Sequence, residues 1–167
     1  MRQTVAAFCA WLELTPFSQQ LQTREWVVPA VQTIHLLAIA GVMGSMLLYN
    51  LRLLGLRGGD VPLARVCQRF VPVLCGAVLL LLLSGAVMIA AEPARSLLNP
   101  VFQLKMVLLA AALALTATTA WPLRRSPGYW DASRVRGRLA RLFGTASIGL
   151  WVAILCAGRW IAYVGHT

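Results

Sequence analysis

Three ionisable residues stand inside long apolar stretches of the sequence: His35, Lys105 and Arg159. A charge near the centre of a bilayer costs at least about 2.5 kcal/mol on insertion scales, so an ionisable residue there indicates a functional site by default. Gln32 precedes His35 by about one turn on the same helical face, and Glu92 ends the second apolar stretch. We therefore predict a polar pocket formed by these five residues.

Sulphur-containing side chains in the neighbouring stretches suggest metal chemistry. Imidazole with thioether or thiolate suits Cu(I), and His with Met is an axial pair for haem iron. The candidate ligands are His35, Met88, Met106 and Cys156. No spacing motif selects a metal, and the second histidine, His166, is almost terminal, which disfavours a haem held by two histidines. The cofactor is thus unknown, with copper and haem b as the two that this set would suit.

Simpler roles compete with these. Lys105 and Arg159 lie near the ends of their stretches, so their long chains could extend to the lipid headgroups. His35 is too short for that and could instead join two helices by a hydrogen bond. In a third interpretation, His35 and Gln32 hydrogen-bond the carbonyl of a quinone or another small molecule.

The composition excludes a soluble protein. Apolar residues make up 59% of the 167 residues and charged ones 12%, with a mean hydropathy of +0.74, whereas soluble domains are about half apolar and about a quarter charged. The net charge of +10 therefore predicts contact with anionic lipids rather than nucleic acid. The sequence has no phosphate-binding loop, no GxSxG motif and no paired acids in its apolar stretches, so we expect no enzyme activity from the chain alone.

Four stretches are long enough to cross about 30 Å of hydrocarbon. We predict an all-α fold, an antiparallel four-helix bundle that occupies residues 26–167, with spans at about 26–48, 70–91, 101–121 and 144–164. Asn99-Pro100 predicts a capped start of the third span. Glu92-Pro93 and Trp121-Pro122 predict the ends of the second and third, because proline interrupts the helical hydrogen bonds.

Residues 1–25 have a different pattern. Val5, Phe8 and Leu12 recur at helical spacing, and Thr15-Pro16 reads as a cap followed by a new helix. We predict one or two short helices that lie in the membrane interface. A loosely ordered tail is the alternative.

Basic residues predict the orientation, because cytoplasmic loops are enriched in them. Ten of the fifteen lie in the first and third loops, so we place those loops in the cytoplasm and both termini in the periplasm. Six of the ten are predicted to contact anionic lipids: Arg124, Arg125, Arg134, Arg136, Arg138 and Arg141.

Small residues spaced by about one turn predict where the helices meet. The predicted contact positions are Gly41 and Ser45 in the first span, Ala110, Ala114 and Thr118 in the third, and Gly149, Ala153 and Ala157 in the fourth.

Several motifs resemble a family of small bacterial inner-membrane proteins that has no assigned function. They are Trp11-Leu-Glu-Leu-Thr15-Pro, the stretch from Trp26 to His35, Gly44-Ser45, Asn50-Leu-Arg52-Leu-Leu-Gly55, Gly85, Phe102-Gln-Leu-Lys105 and Ala157-Gly-Arg159. That family usually has Asp where this chain has Asn50. The His-bearing first span with its Leu-Arg exit is also distantly similar to the copper-resistance CopD-like membrane domain, which implies handling of copper or electrons at the outer face.

Together these patterns predict a non-enzymatic protein of the bacterial inner membrane. It would act as an accessory subunit of a larger membrane or periplasmic complex, or as a binding module with a pocket around His35, Lys105 and Arg159. A copper- or haem-binding redox protein and a quinone- or small-molecule-binding protein are the alternatives.

Overall fold

The computed structural model describes residues 2–56 and 61–164, and every regular element in these ranges is an α-helix. This confirms the predicted all-α class. The helices are α1 (Arg2–Glu13), α2 (Pro16–Thr23), α3 (Val27–Leu53), α4 (Leu63–Ala91), α5 (Pro93–Leu97), α6 (Pro100–Arg125) and α7 (Arg134–Val164). Arg57, Asp60 and His166 lie outside the described residues.

Four helices, α3, α4, α6 and α7, are long and apolar enough to cross a membrane. Only 17% to 28% of the residues in their most apolar windows are buried inside the protein. Large apolar side chains on these helices, such as Leu36, Leu83 and Val107, are exposed, over an area that water would not solvate favourably. By length, composition and exposed surface, these are the helices of a multi-pass membrane protein.

The four long helices form two hairpins, α3–α4 and α6–α7, which meet mainly through α3 and α7. We call the end of the bundle that carries α1, α2 and α5 the capped end. The opposite end carries residues 54–56, 61–62 and 126–133 and is called the basic end. The six arginines predicted to contact lipid are all exposed near the basic end.

Two short helices precede the bundle, within the range that the sequence predicted. Thr15 caps α2 by accepting a hydrogen bond from the Ser18 backbone at 3.4 Å. The Ser18 hydroxyl donates to the Ala90 carbonyl at 2.7 Å, and the Gln22 amide donates to the Ala91 carbonyl at 2.9 Å. The last carbonyls of a helix have no hydrogen-bond partner within that helix. By donating to two of these carbonyls at the end of α4, the side chains of α2 hold α2 on the bundle.

The ends of the helices follow the predicted signals with one exception. Asn99 caps α6 by accepting from the Val101 backbone at 2.9 Å, and α4 ends at Ala91, directly before Glu92-Pro93. The prediction that α6 ends at Trp121-Pro122 is wrong, because the helix continues to Arg125. Proline removes one backbone hydrogen bond, and so close to the end of a helix that loss does not stop the chain from completing another turn.

The packing predictions are only partly right. Gly41 meets α4 closely: a Cβ placed on it would stand 3.3 Å from the Cβ of Ala77. In α6, however, the predicted positions Ala110, Ala114 and Thr118 are exposed, and the buried face includes Ala112 and Thr116. Small residues occur on both faces of α6, so their spacing alone could not choose between them.

The fourth helix shows a similar displacement. Gly149 is exposed and has no neighbour within 4 Å of a Cβ built on it, although Ala157 is buried as predicted. The close approach lies at Gly144, where such a Cβ would stand 3.2 Å from the Cβ of Leu53. Because this glycine lets α7 contact the end of α3, it fixes how the two hairpins meet.

Candidate functional site

His35 lies between α3 and α4, with its ring half-buried. Its Nδ1 is 2.8 Å from the Ser84 hydroxyl oxygen. That hydroxyl is itself 2.7 Å from the Leu80 carbonyl and 3.2 Å from the Leu81 carbonyl, one turn back in α4. A serine in the middle of a helix often donates to such a carbonyl, so α4 presents the oxygen of Ser84 to His35 as an acceptor.

We assign the proton position on the neutral imidazole from these contacts. A serine hydroxyl has one hydrogen, and a carbonyl oxygen can only accept. We give the hydrogen of Ser84 to its own helix, as is common for a serine inside a helix, which makes His35 the donor through Nδ1. The other ring nitrogen, Nε2, then carries a lone pair that can accept a hydrogen bond or bind a metal ion.

The ring of His35 lies next to Gly85. A Cβ built on this glycine would be 3.5 Å from Cε1 of the ring, which is ordinary contact distance. An alanine would fit at this position, whereas a longer side chain would occupy the space of the imidazole. The pair Ser84-Gly85 thus both anchors the ring and leaves room for it.

Lys105 brings a cation to the same region from α6. Its side chain is half-buried, and its charge lies close enough to act on the His35 ring. Its ammonium also reaches α7, where a Cβ built on Gly158 would be 3.8 Å from Nζ. The side chain therefore lies against the bundle, and residues from all four long helices contribute to one site.

The remaining residues of the predicted pocket are less enclosed. Gln32 and Arg159 have exposed side chains; Arg159 directly follows Gly158, which Lys105 contacts. Glu92 forms an ion pair with Arg95 at 2.8 Å, and both side chains are 53% exposed. The centre of the site is thus His35, Ser84 and Lys105, with the other predicted residues around the capped end.

The predicted sulphur ligands have different surroundings. Met88 is half-buried, whereas Met106 and Cys156 are exposed. Within residues 2–56 and 61–164, no three His, Cys, Asp or Glu side chains are grouped so that they could hold a metal ion. Of the candidate ligands, His35 is therefore the one whose orientation is fixed by a hydrogen bond in the described structure.

A second polar cluster, which sequence reasoning missed, lies toward the basic end. The Tyr49 hydroxyl donates to the Thr119 hydroxyl at 3.1 Å, and the Trp130 indole donates to the Thr119 carbonyl at 3.0 Å. Asn50 donates to the Ser147 hydroxyl at 3.0 Å. Adjacent polar residues at the end of an apolar stretch, as in Tyr49-Asn50, were the available signal.

This cluster is enclosed by protein. Tyr49 and Asn50 are 2% and 1% exposed. Trp130, which covers the cluster from the basic end, is 6% exposed. The cluster links α3 to α6, to α7 and to the loop between them, so its geometry is that of a structural network.

Four apolar helices that surround a half-buried, hydrogen-bonded histidine define a multi-pass membrane-type bundle with a polar site between its helices. The chain belongs to the family of unknown function DUF6644, whose profile matches residues 11–164. No curated protein and no solved structure matches the chain. The match agrees with the resemblance to an uncharacterised family and carries no information about copper.

Proposed function

We propose that this chain is a non-enzymatic binding module of the bacterial inner membrane, which holds a small ligand between its helices at the capped end. The observation that carries the proposal is the 2.8 Å contact between His35 Nδ1 and the Ser84 hydroxyl. It orients the ring, and the assigned tautomer leaves Nε2 as an acceptor, while Lys105 supplies a donor and a positive charge in the same region. A pre-oriented acceptor and donor at membrane depth are what a binding site requires.

The ligand class that suits this pair is a quinone or a related ring compound with oxygen substituents. A hydroxyl of the reduced form can donate to His35 Nε2, and a carbonyl or anionic oxygen can accept from Lys105. An apolar tail would lie against the leucine-rich helix surfaces. Arg159 and Gln32, exposed near the same end, would add polar contacts at the entrance.

A binding titration tests the proposal. The full chain in lipid nanodiscs would be titrated with the reduced (quinol) form of a short-chain ubiquinone analogue, with the change in tryptophan fluorescence as the readout. We expect saturable binding that Ser84→Ala weakens about 5- to 10-fold, the equivalent of one hydrogen bond. Thr33→Ala is the matched control, because Thr33 lies two residues from His35 and bonds only the Pro29 carbonyl of its own helix at 2.9 Å. Absence of saturable binding, or equal losses in both variants, would contradict the proposal.

The proposed orientation places the capped end in the periplasm, since ten of the fifteen basic residues lie, in the sequence, between the first and second or between the third and fourth predicted spans. A reporter that is active only in the cytoplasm should be silent when fused after Thr167; strong activity would reverse the orientation.

If the module works as an accessory subunit, purification in mild detergent should recover a partner protein with it. Recovery of the chain alone would contradict the subunit version.

The second candidate is a copper or haem site of the CopD-like kind. The same tautomer supports it, because Nε2 can bind a metal and a hydrogen bond to the other nitrogen orients metal-binding histidines. The further ligand would come from Met88, Met106 or Cys156. Stoichiometric copper, or a haem absorption band that His35→Ala removes, would favour this candidate over the quinone; a metal signal retained in His35→Ala would exclude His35 as its ligand.

A further inference from the structure

A cleft of about 230 Å³ opens at the basic end between α3 and α4. Three arginines line it: Arg52 from the end of α3, and Arg65 and Arg69 from the first turns of α4. None of the described residues that line it is acidic. The lining surface is mainly apolar, so the arginines line the cleft chiefly with their aliphatic stems. Arg65 and Arg69 are exposed, and like charges around one cleft repel one another unless an anion lies among them, so the rim of the cleft suits an anion.

The position of Arg52 is fixed by the backbone. Gly55 has a φ of 74°, and the Leu56 and Gly55 amides bond the Leu51 and Arg52 carbonyls at 3.0 and 3.1 Å. These are the bonds of a Schellman motif, which ends a helix at a left-handed glycine. The Arg52 guanidinium then donates from Nε to the Val61 carbonyl at 2.8 Å. One of its five donors is used in this way, and the group is held at the mouth of the cleft.

The arginines of α4 stand beside an apolar row. Arg65 and Arg69 are four residues apart and therefore neighbours on one side of the helix, and Val66 and Phe70 repeat the same spacing next to them. On α3, Leu48 lies one turn deeper than Arg52 and also lines the cleft. The cleft thus has an apolar wall with arginines along its rim.

We propose that this cleft binds one anionic phospholipid of the adjoining leaflet. Its phosphate would lie among Arg52, Arg65 and Arg69, because guanidinium groups bind phosphate through paired hydrogen bonds. The first part of an acyl chain would lie against Leu48, Val66 and Phe70. The apolar wall favours a lipid over a free phosphate, because a free phosphate gains nothing from contact with these side chains.

Native mass spectrometry of the full chain in detergent tests this proposal, with added phosphatidylglycerol or phosphatidylcholine as the probe. We expect one tightly retained phosphatidylglycerol and at least about tenfold weaker retention of phosphatidylcholine. A basic residue near an anionic lipid contributes about fivefold in affinity, so the double variant Arg65→Gln/Arg69→Gln should lose about 30-fold.

The matched control is Arg24→Gln/Arg95→Gln, which removes the same charge from exposed positions at the capped end, outside the cleft. We expect this control to lose no more than about threefold, since only long-range attraction changes. Equal losses in the two double variants would overturn the proposal in favour of diffuse attraction. Complete displacement of the lipid by inorganic phosphate at the lipid's own concentration would also overturn it, because the apolar wall would then contribute nothing.

Discussion

The capped and basic halves of the bundle both place polar side chains between apolar helices, but they use them differently. In the basic half, Tyr49, Thr119 and Trp130 bond one another and are almost completely buried. In the capped half, His35 is held through Nδ1, the assigned tautomer leaves the lone pair of Nε2 available, and the ring is only half-buried. A polar residue in such a helix therefore indicates a binding site when its side chain is held in place, is accessible, and has a hydrogen-bonding group that no protein group uses.

The basic half also contains polar atoms without a hydrogen-bond partner, but they differ from His35 in being buried. Asn50 Oδ1 and Trp151 Nε1 are buried without a hydrogen-bond partner in the described part of the chain. Both side chains are enclosed, at 1% and 3% exposure. A buried polar atom without a partner costs stability rather than offering a contact to a ligand. We therefore expect substitutions in the basic half to change folding and those around His35 to change binding.

The largest expected effect is on the contact between α3 and α7. Gly144→Val would place a branched side chain where a Cβ already stands 3.2 Å from Leu53. Overpacking of this kind costs roughly 2–3 kcal/mol of unfolding free energy. Gly149→Val is the control, because no atom lies within 4 Å of a Cβ there. Unfolding in mixed detergent micelles measures both variants; comparable losses would show that the helices do not meet at Gly144.

A smaller loss is expected at Asn50. Ser147→Ala removes the partner of its amide nitrogen, which leaves both polar atoms of a buried side chain unbonded. The expected cost is about 1–3 kcal/mol. Thr145→Ala, on the exposed face of the same helix, should stay within about 0.5 kcal/mol. If the two substitutions have equal effects on unfolding, the bond between Asn50 and Ser147 is not a stabilising contact.

The smallest stability effect is expected for Tyr49→Phe, which removes one interhelical hydrogen bond. Such bonds in membrane helices contribute about 0.6 kcal/mol on average. Ligand affinity should not change, because Tyr49 is enclosed in the basic half. His35→Ala also removes one interhelical hydrogen bond, so its effect on unfolding should be of similar size, but it should lower ligand affinity about tenfold because the acceptor for the ligand is missing. A comparable loss of affinity in Tyr49→Phe would remove the division between the two halves.

Some of this molecule follows directly from its sequence. Hydropathy identifies four long helices because lipid requires about 20 apolar residues for each crossing. Local signals act within one turn, so the cap at Asn99 and the break at Glu92-Pro93 were predictable. The intramembrane positions of His35 and Lys105 also identified the residues at the centre of the site, because ionisable residues are uncommon among apolar ones.

The remaining features depend on how the helices are rotated. Ser84 follows a run of five leucines, and nothing in the sequence around it predicts its contact with His35, which depends on the rotation of α4. Likewise, Ala110 and Ala112 are equivalent as residues, and only packing shows that the second is buried. The arginine cleft requires Arg52 and Arg69 to meet across two helices. Rotation about a helix axis is set by contacts distant in sequence, which spacing along one helix does not specify.

The most direct test of the account is the tautomer of His35. The protein has two histidines, so ¹⁵N-histidine labelling with a His166→Gln variant isolates the ring of His35 in a nuclear magnetic resonance spectrum. We predict a neutral imidazole with its proton on Nδ1, and an Nε2 signal that shifts when the reduced form of the ubiquinone analogue is added. At the same analogue concentration, the shift should be clearly smaller after Ser84→Ala. A proton on Nε2 in the ligand-free protein, or an Nε2 signal that saturating analogue leaves unchanged, would contradict it.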